Sequence, residues 1–420
     1  QPAHSFRSER GGATPFSTED TSDSRTTSLT ASSKLVQTVF EAHSFVAGLE
    51  FQLDRRNDAR TTLQGGVPIL TEFGDNLHAS EMRYAGYAQD EWSITPTWAV
   101  HAGLRWEGIQ TRGSGFAADP EVSNRSSVWS PLLHAVWKPD PKSRDQVRLS
   151  LTRSYRSPTL GSLIARPSVN SRYPVQPVDQ SNTPTQTDRA GNPNLKPELA
   201  TGIDLAVERY LPGSGILSAN IFRRNISDYM RSVTQLETVS YSSFPRYVIR
   251  PQNVGDATTE GLELEAKLRV SEVWPGAPKV DVRANASFFK SKVKGVPGPD
   301  NRLDQQPDYT ANVGGDYRFS GWPLMIGGNL NWTPGYLTRI SEVQTATISG
   351  KLVGDIYALW TFNPGLQLRL TASNFAPRDY ITSGSVDFVD ARTPPRSLRE
   401  TSTNTGPTYV NVQARLELKL

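Results

Sequence analysis

The chain has 420 residues, room for one large core or for two or three domains, and no run of about 18 apolar residues that could form a membrane-spanning helix. It has no Cys, which excludes disulfide scaffolds, thiolate metal sites and Cys nucleophiles. Its net charge of +3, with both signs dispersed, gives no nucleic-acid footprint. A transmembrane β-barrel remains open, because only every second residue of such a strand must be apolar. Gln1 is not an initiator Met and no signal peptide follows it, so either processing or fragmentation is expected upstream.

Residues 1–27 are polar and aperiodic and are expected to be loop-like or disordered, with a barrel over 28–420. Strands are predicted from Leu29 to Phe40 and from Phe45 to Phe51, around a turn at Glu41-Ala42-His43. Asp54 to Ser80 is charged and reads as a loop. Next, Tyr84 to Trp92 and Trp98 to Glu107 flank the turn Thr95-Pro96-Thr97. In the second of these strands Trp98, Val100, Ala102, Leu104 and Trp106 share one face, and His101, Gly103, Arg105 and Glu107 share the other. Trp92 and Trp98 bracket the turn, where an interfacial aromatic girdle would sit.

Val128 to Trp137 and Val147 to Tyr155 form another hairpin around Pro139-Asp140-Pro141-Lys142. A long connection follows over 156–196, rich in Pro, Ser, Thr, Asn and Arg; loops of this length are functional or disordered. It ends in Asn192-Pro193-Asn194-Leu195-Lys196-Pro197-Glu198, where two prolines forbid helix. Ile203, Leu205 and Val207 then alternate with Asp204, Ala206 and Glu208; Pro212-Gly213-Ser214-Gly215 turns the chain; Leu217, Ala219 and Ile221 resume the alternation. After a second long loop at 231–249, Leu262, Leu264, Ala266 and Leu268 oppose Glu263, Glu265, Lys267 and Arg269. Val280 and Val282 similarly oppose Asp281 and Arg283. Further strands are predicted near 308–319, 324–332, 352–362 and 366–376, with a third long loop over 377–408. In the last segment Val410, Val412, Ala414, Leu416, Leu418 and Leu420 oppose Asn411, Gln413, Arg415, Glu417 and Lys419.

Three stretches carry a resemblance: Asn192 to Glu198 with the hairpin that ends in Asp228-Tyr229-Met230; Tyr87-Ala88-Gln89-Asp90-Glu91-Trp92 with Ala102 to Glu107; and Asn253-Val254-Gly255 with Glu260 to Glu265. They resemble the barrel of TonB-dependent outer-membrane receptors, and the apolar-faced terminal strand resembles an outer-membrane assembly signal, with Leu420 where most such strands end in Phe. The resemblance implies an all-β, transmembrane antiparallel barrel of about 15 of 22 strands, without the plug domain and TonB box. It implies uptake of a scarce solute, most often a ferric siderophore, in the outer membrane of a Gram-negative bacterium. It also implies energy supplied by TonB-ExbB-ExbD through the plug, contact with outer-membrane lipid and lipopolysaccharide, and a monomer. A passive porin or an adhesin is the alternative.

The alternation places Trp98, Val100, Leu104, Val280, Val282, Leu416 and Leu418 toward lipid, and Arg105, Glu107, Glu263, Glu265, Arg283, Arg415 and Glu417 toward the lumen. For an anionic ligand the expected contacts are Arg156, Arg166, Arg172, Tyr173 and Arg189 in the first long loop, with Tyr241, Arg246 and Tyr247 in the second. Arginine pairs with carboxylates through two parallel hydrogen bonds, and tyrosine adds a flat contact with a polar tip. Five His without metal-type spacing, and no nucleophile motif beside His101 or His134, give no metal, cofactor or catalytic site.

Overall fold

Period-two alternation becomes strand over most of the chain. The computed structural model describes residues 6–9, 17–71, 76–114, 121–164, 166–170, 172–173, 175, 181–211, 213, 215–390 and 396–418. In order come β1 (Phe6–Glu9), β2 (Ser17–Val39), β3 (His43–Gln64), β4 (Val67–Ile69), β5 (Asn76–Thr95), β6 (Trp98–Ser114), β7 (Glu121–Trp137), β8 (Gln146–Arg156) and the helical turn α1 (Leu160–Ile164). Then follow β9 (Asp188–Arg189), β10 (Glu198–Tyr210), β11 (Ile216–Ser227), β12 (Met230–Glu237), β13 (Arg246–Asn253), β14 (Ala257–Arg269), the short α2 (Val270–Val273) and β15 (Val280–Val293). The remainder is β16 (Tyr309–Arg318), β17 (Leu324–Thr333), β18 (Tyr336–Arg339), β19 (Gln344–Ile348), β20 (Lys351–Asn363), β21 (Leu366–Ser373), β22 (Tyr380–Asp390), β23 (Arg396–Gly406) and β24 (Asn411–Leu418).

Among the described residues seventeen strands join one sheet; β1 and β4 are short, which leaves fifteen wall strands, the number expected. The wall runs β2-β3-β5-β6-β7-β8-β10-β11-β14-β15-β16-β17-β20-β21-β24, antiparallel at every step. Among the described residues β2, with β1, and β24 are its two edges, so the barrel-type sheet is open. Among the described residues no helix is long and apolar enough to cross a membrane.

One rim is closed by tight turns: Phe40 and Glu41 with positive φ of 49° and 54°, Pro96-Thr97, and the Pro364-Gly365 turn. The other rim carries every long connection, and there two small sheets form. One is β9-β13-β12, and the other is β18-β19-β22-β23. Short turns on one side and long loops on the other are the periplasmic and extracellular ends of an outer-membrane barrel.

Several segments read as loops are strands. β2 begins at Ser17, inside the start expected to be disordered, and β3 continues through Asp54 to Gln64. The second and third long loops are largely hairpins, β12–β13 and β22–β23. These stretches stand beyond the membrane band, where both faces meet water, so no apolar alternation marks them. At 22 residues, β3 is about 70 Å long, more than twice what a tilted crossing needs. Residues 1–5, 10–16, 165, 171, 174, 176–180 and 391–395 of the expected loops, and Lys419 and Leu420 of the expected last strand, lie outside the described residues.

Outer faces are apolar and exposed, as at Leu35, Leu49, Ile221 and Ile356. Two aromatic belts bound them. Trp98 stacks on Trp137, ring centres 6.0 Å apart, near the tight-turn rim. Tyr84, Trp106 and Trp129 form the other belt, with centres 5.5 and 6.2 Å apart. A Cβ on Gly108 would overlap the Tyr84 ring, so glycine there lets the aromatic lie flat on the wall. Trp98 and Trp106 are eight residues apart on β6, about 26 Å of strand. A tilt of about 40° reduces that to about 20 Å, close to the ~25 Å apolar band of such barrels.

Candidate functional site: inner wall and mouth

Positions that alternate with the belts form the inner face, packed at its upper end by α1. Leu163 and Ile164 are buried with Ala79 of β5 and Leu195, and Ile164 lies against Gly113 of β6. The Asn-Pro-Asn-Leu stretch is held to the same wall, because Asn124 of β7 donates to the carbonyls of Pro193 and Leu195, both at 2.9 Å.

Charged residues on this face neutralise one another across strands. Arg105 donates to Glu50 of β3 at 2.6 Å and also to Glu107, whose other oxygen accepts from the Tyr155 hydroxyl. Arg283 meets Asp316 at 2.7 Å. A cavity of about 740 Å³ opens on the inner face and is lined by Arg148, Asp204, Glu208, Arg224, Glu263 and Glu265 among others. Arg224 grips Asp204 with two bonds of 2.8 and 3.0 Å, and Arg148 meets Glu208 at 2.5 Å. Glu263 accepts only from Asn220, at 3.0 Å, and among the described residues neither it nor Glu265 has a cationic partner. The cavity is therefore net acidic. Arg415 and Glu417 lie 4.0 Å apart on the exposed edge strand β24.

Over the mouth, the loops are bolted together by buried polar groups. Asp188 and Arg246 are wholly buried and joined by two bonds of 2.9 Å. The Tyr241 hydroxyl donates to Asp188 at 3.0 Å, the Asn170 amide donates to the same carboxylate at 2.9 Å, and Arg246 donates to the Tyr173 carbonyl at 2.7 Å. Burial, reinforced by the Asp188 charge, pushes the Tyr241 hydroxyl far above the ordinary tyrosine range. A second bolt is Arg231, also buried, which donates to the carbonyls of Arg302, Arg339 and Ile340 and pairs with Asp304 at 2.8 Å. Thr183, at 2.8 Å, and Thr185 both donate to Glu400 of β23, tying the first long loop to the four-stranded sheet.

Of the expected ligand contacts, Arg246 is wholly buried in this lock, and half-buried Tyr241 gives its hydroxyl to it. Arg166 donates to the carbonyls of Arg60 and Leu70 at 2.5 and 3.0 Å, fastening the loop to β3 and its neighbour turn. Arg156 is spent on Glu198 at 2.7 Å, at the base of the loop. Arg172 and Arg189 are exposed, while Tyr173 and Tyr247 are half-buried, the latter edge-on to Phe388 at 6.3 Å. Tyr173, Tyr241 and Arg246 thus meet at Asp188, beside Arg189, whereas Arg156 and Arg166 are bonded elsewhere. Asp188, Arg231 and Glu400, which with Glu198 hold the mouth together, carry no sequence signal, since each partner is tens to hundreds of residues away.

A family model described as TonB dependent receptor-like, beta-barrel, matches residues 2–375. The chain belongs to that family. As a TonB-dependent receptor barrel it is an outer-membrane protein, from a family of transporters rather than enzymes. It is 23% identical over 249 residues to an iron-regulated outer membrane virulence protein of Vibrio cholerae, covering 58% of this chain and 32% of that protein. The unliganded ferric citrate transporter FecA superposes with a TM-score of 0.62 at 14% identity, over 96% of this chain and 57% of that one. The ferric yersiniabactin uptake receptor FyuA of Yersinia pestis gives 0.58 at 14%, over 100% and 57%. A copper transporter, OprC, gives 0.60 at 14%, over 87% and 53%. At these identities the likeness shows the fold. The chain spans about a third of the curated relative's length and a little over half of each of these solved structures.

Proposed function

We propose that this chain is the wall and mouth of a receptor that takes up a scarce iron chelate, most simply a ferric siderophore, with energy passed from TonB-ExbB-ExbD through a plug domain. The observation that favours gated uptake over a passive porin is the mouth itself. Its loops are not an open ring but a hydrogen-bonded assembly, with the first long loop packed on the inner wall by Leu163, Ile164 and Leu195 and tied to Glu400 on another sheet. A static pore gains nothing from such a cover, whereas a receptor that admits one solute needs it. The iron-regulated relative and the ferric citrate and yersiniabactin receptors of the same fold support iron as the cargo. Exposed Arg172 and Arg189 remain the cationic contacts for an anionic chelate in this reading.

The test is growth of an iron-starved strain deleted for the gene and complemented with the full-length receptor. Siderophore-dependent growth that disappears when TonB is removed is the expected result. Growth that persists without TonB would return the porin reading. An Arg172→Ala/Arg189→Ala receptor that assembles normally should bind the chelate at least tenfold more weakly, since each lost charged hydrogen bond is worth about 1.5–3 kcal/mol.

A further inference from the structure

Alternation along β6 and β7 puts His101 and His134 on the inner face, and strand register sets them directly opposite each other. Their separation in the sequence matches no metal-ligand spacing, and only the pairing of β6 with β7 joins them. The ring centres are 5.6 Å apart and the ring planes are inclined by 39°. Arg105, Arg148 and Arg224 of the same face each hold a carboxylate, but among the described residues neither histidine belongs to an ion pair. The His134 Nδ1 lies 2.8 Å from the Ser150 hydroxyl of β8, and the row continues to Asp204 of β10. With Nδ1–H donated to that oxygen, the lone pair of the ring is left on Nε2. His134 and Ser150 also line the net acidic cavity, together with Asp204 and Glu208. Among the described residues no third His, Asp or Glu converges on the pair.

We infer that His101 and His134 form a two-point site for a divalent transition-metal ion, Cu²⁺ most tightly, with water at the open positions. Metal–nitrogen bonds of about 2.0–2.1 Å put the centres of two chelating imidazoles about 5–6 Å apart, so the strands already hold these rings at a chelating separation. A metal-bound histidine commonly donates its second ring nitrogen to a fixed acceptor, and Ser150 is that acceptor for His134. The surplus carboxylates of the cavity, Glu263 and Glu265, add a field that draws cations toward this wall. Imidazole suits copper, nickel and zinc rather than calcium or magnesium, and affinity rises toward copper. Two protein donors leave the ion exchangeable, unlike a closed structural site. His101 is three residues from Trp98, about 10 Å along β6, which places the ion in the part of the lumen nearer the tight-turn rim. The site does not rest on the uptake reading, because binding is measured on the receptor itself.

The test uses the full-length receptor without a polyhistidine tag, titrated with Cu²⁺ in detergent and followed by electron paramagnetic resonance. Wild type should show a copper signal split by two nitrogens. His101→Gln and His134→Gln should each lose that splitting and bind Cu²⁺ roughly tenfold or more weakly. His43→Gln/His78→Gln, which removes histidines outside the pair, should match wild type. Ser150→Ala removes a positioning residue and should keep both nitrogens while weakening binding about tenfold. Heat-modifiable gel mobility reports folding. An unchanged two-nitrogen signal in folded His101→Gln overturns the site, as does a wild type that gives no such signal. If the histidine variants fail to fold, Cu²⁺ protection of wild-type His101 and His134 from diethyl pyrocarbonate, read by mass spectrometry, decides instead. Protection of both imidazoles supports the pair, and modification at the metal-free rate overturns it.

Discussion

The single residues that decide most are those whose charge has no access to water. Removing one partner from Asp188 and Arg246 leaves the other buried and uncompensated, a cost of about 3–5 kcal/mol. Asp188→Ala should therefore loosen the three-stranded sheet and the first long loop together, while the wall stays intact. Limited proteolysis would show it, with new cleavage in 166–190 and an unchanged protected barrel core. If the loops of the variant resist protease as the wild type does, the lock does not hold the mouth. Tyr241→Phe is milder, because Asp188 keeps three other donors, and should cost about 1 kcal/mol.

At the scale of the element, strands divide into a membrane part and an aqueous part under different rules. In the membrane part, one face must be apolar throughout: Leu416 on β24 pairs with Leu368 of β21 on the outward side. Leu416→Arg should destabilise assembly by about 2–4 kcal/mol if that position lies near the midplane, as read from urea-dependent unfolding in lipid vesicles. A loss below 1 kcal/mol would place it at the interface. In the aqueous part, charge pairs replace apolar faces. Arg399 holds Asp387 below the usual carboxylate range on the β22–β23 hairpin, chiefly through a hydrogen bond of 2.6 Å. A carboxylate with a depressed folded pKa stabilises above its unfolded value and stops doing so as pH falls through the folded one. The hairpin should thus weaken only below about pH 4, where unfolded Asp titrates. Amide exchange of 380–390 against pH tests this; Asp387→Asn should remove the acid dependence, and a pair so exposed should change overall stability little.

For the molecule as a whole, the consequence is mechanical. Fifteen antiparallel strands form the wall, and the long connections at one rim are joined by polar contacts. The Thr183 and Thr185 bonds to Glu400 join the first long loop to the four-stranded sheet. Glu400→Ala should free residues 181–187 without altering the wall, seen as faster amide exchange confined to that loop. If exchange in 181–187 is unchanged, packing rather than these bonds holds the cover down.

Sequence by itself determined what repeats every second residue. Trp98 to Glu107, Leu262 to Arg269 and Val280 to Arg283 read as half-lipid, half-aqueous strands because the bilayer demands an apolar side at each crossing, while the barrel class came from the resemblance of three short stretches. The same reasoning failed from Ser17 to Thr27 and beyond Asp54, where strands stand in water and nothing imposes a pattern on either face. Only the tertiary structure decided where each loop arginine is placed. Arg166, Arg246 and Arg172 look alike in sequence, yet two are consumed by carbonyls and by Asp188, and one is exposed. Period-two patterning is a local consequence of the solvent on each side of a strand, whereas a buried ion pair or a cluster of like charges depends on contacts between residues far apart in the chain, which only folding specifies.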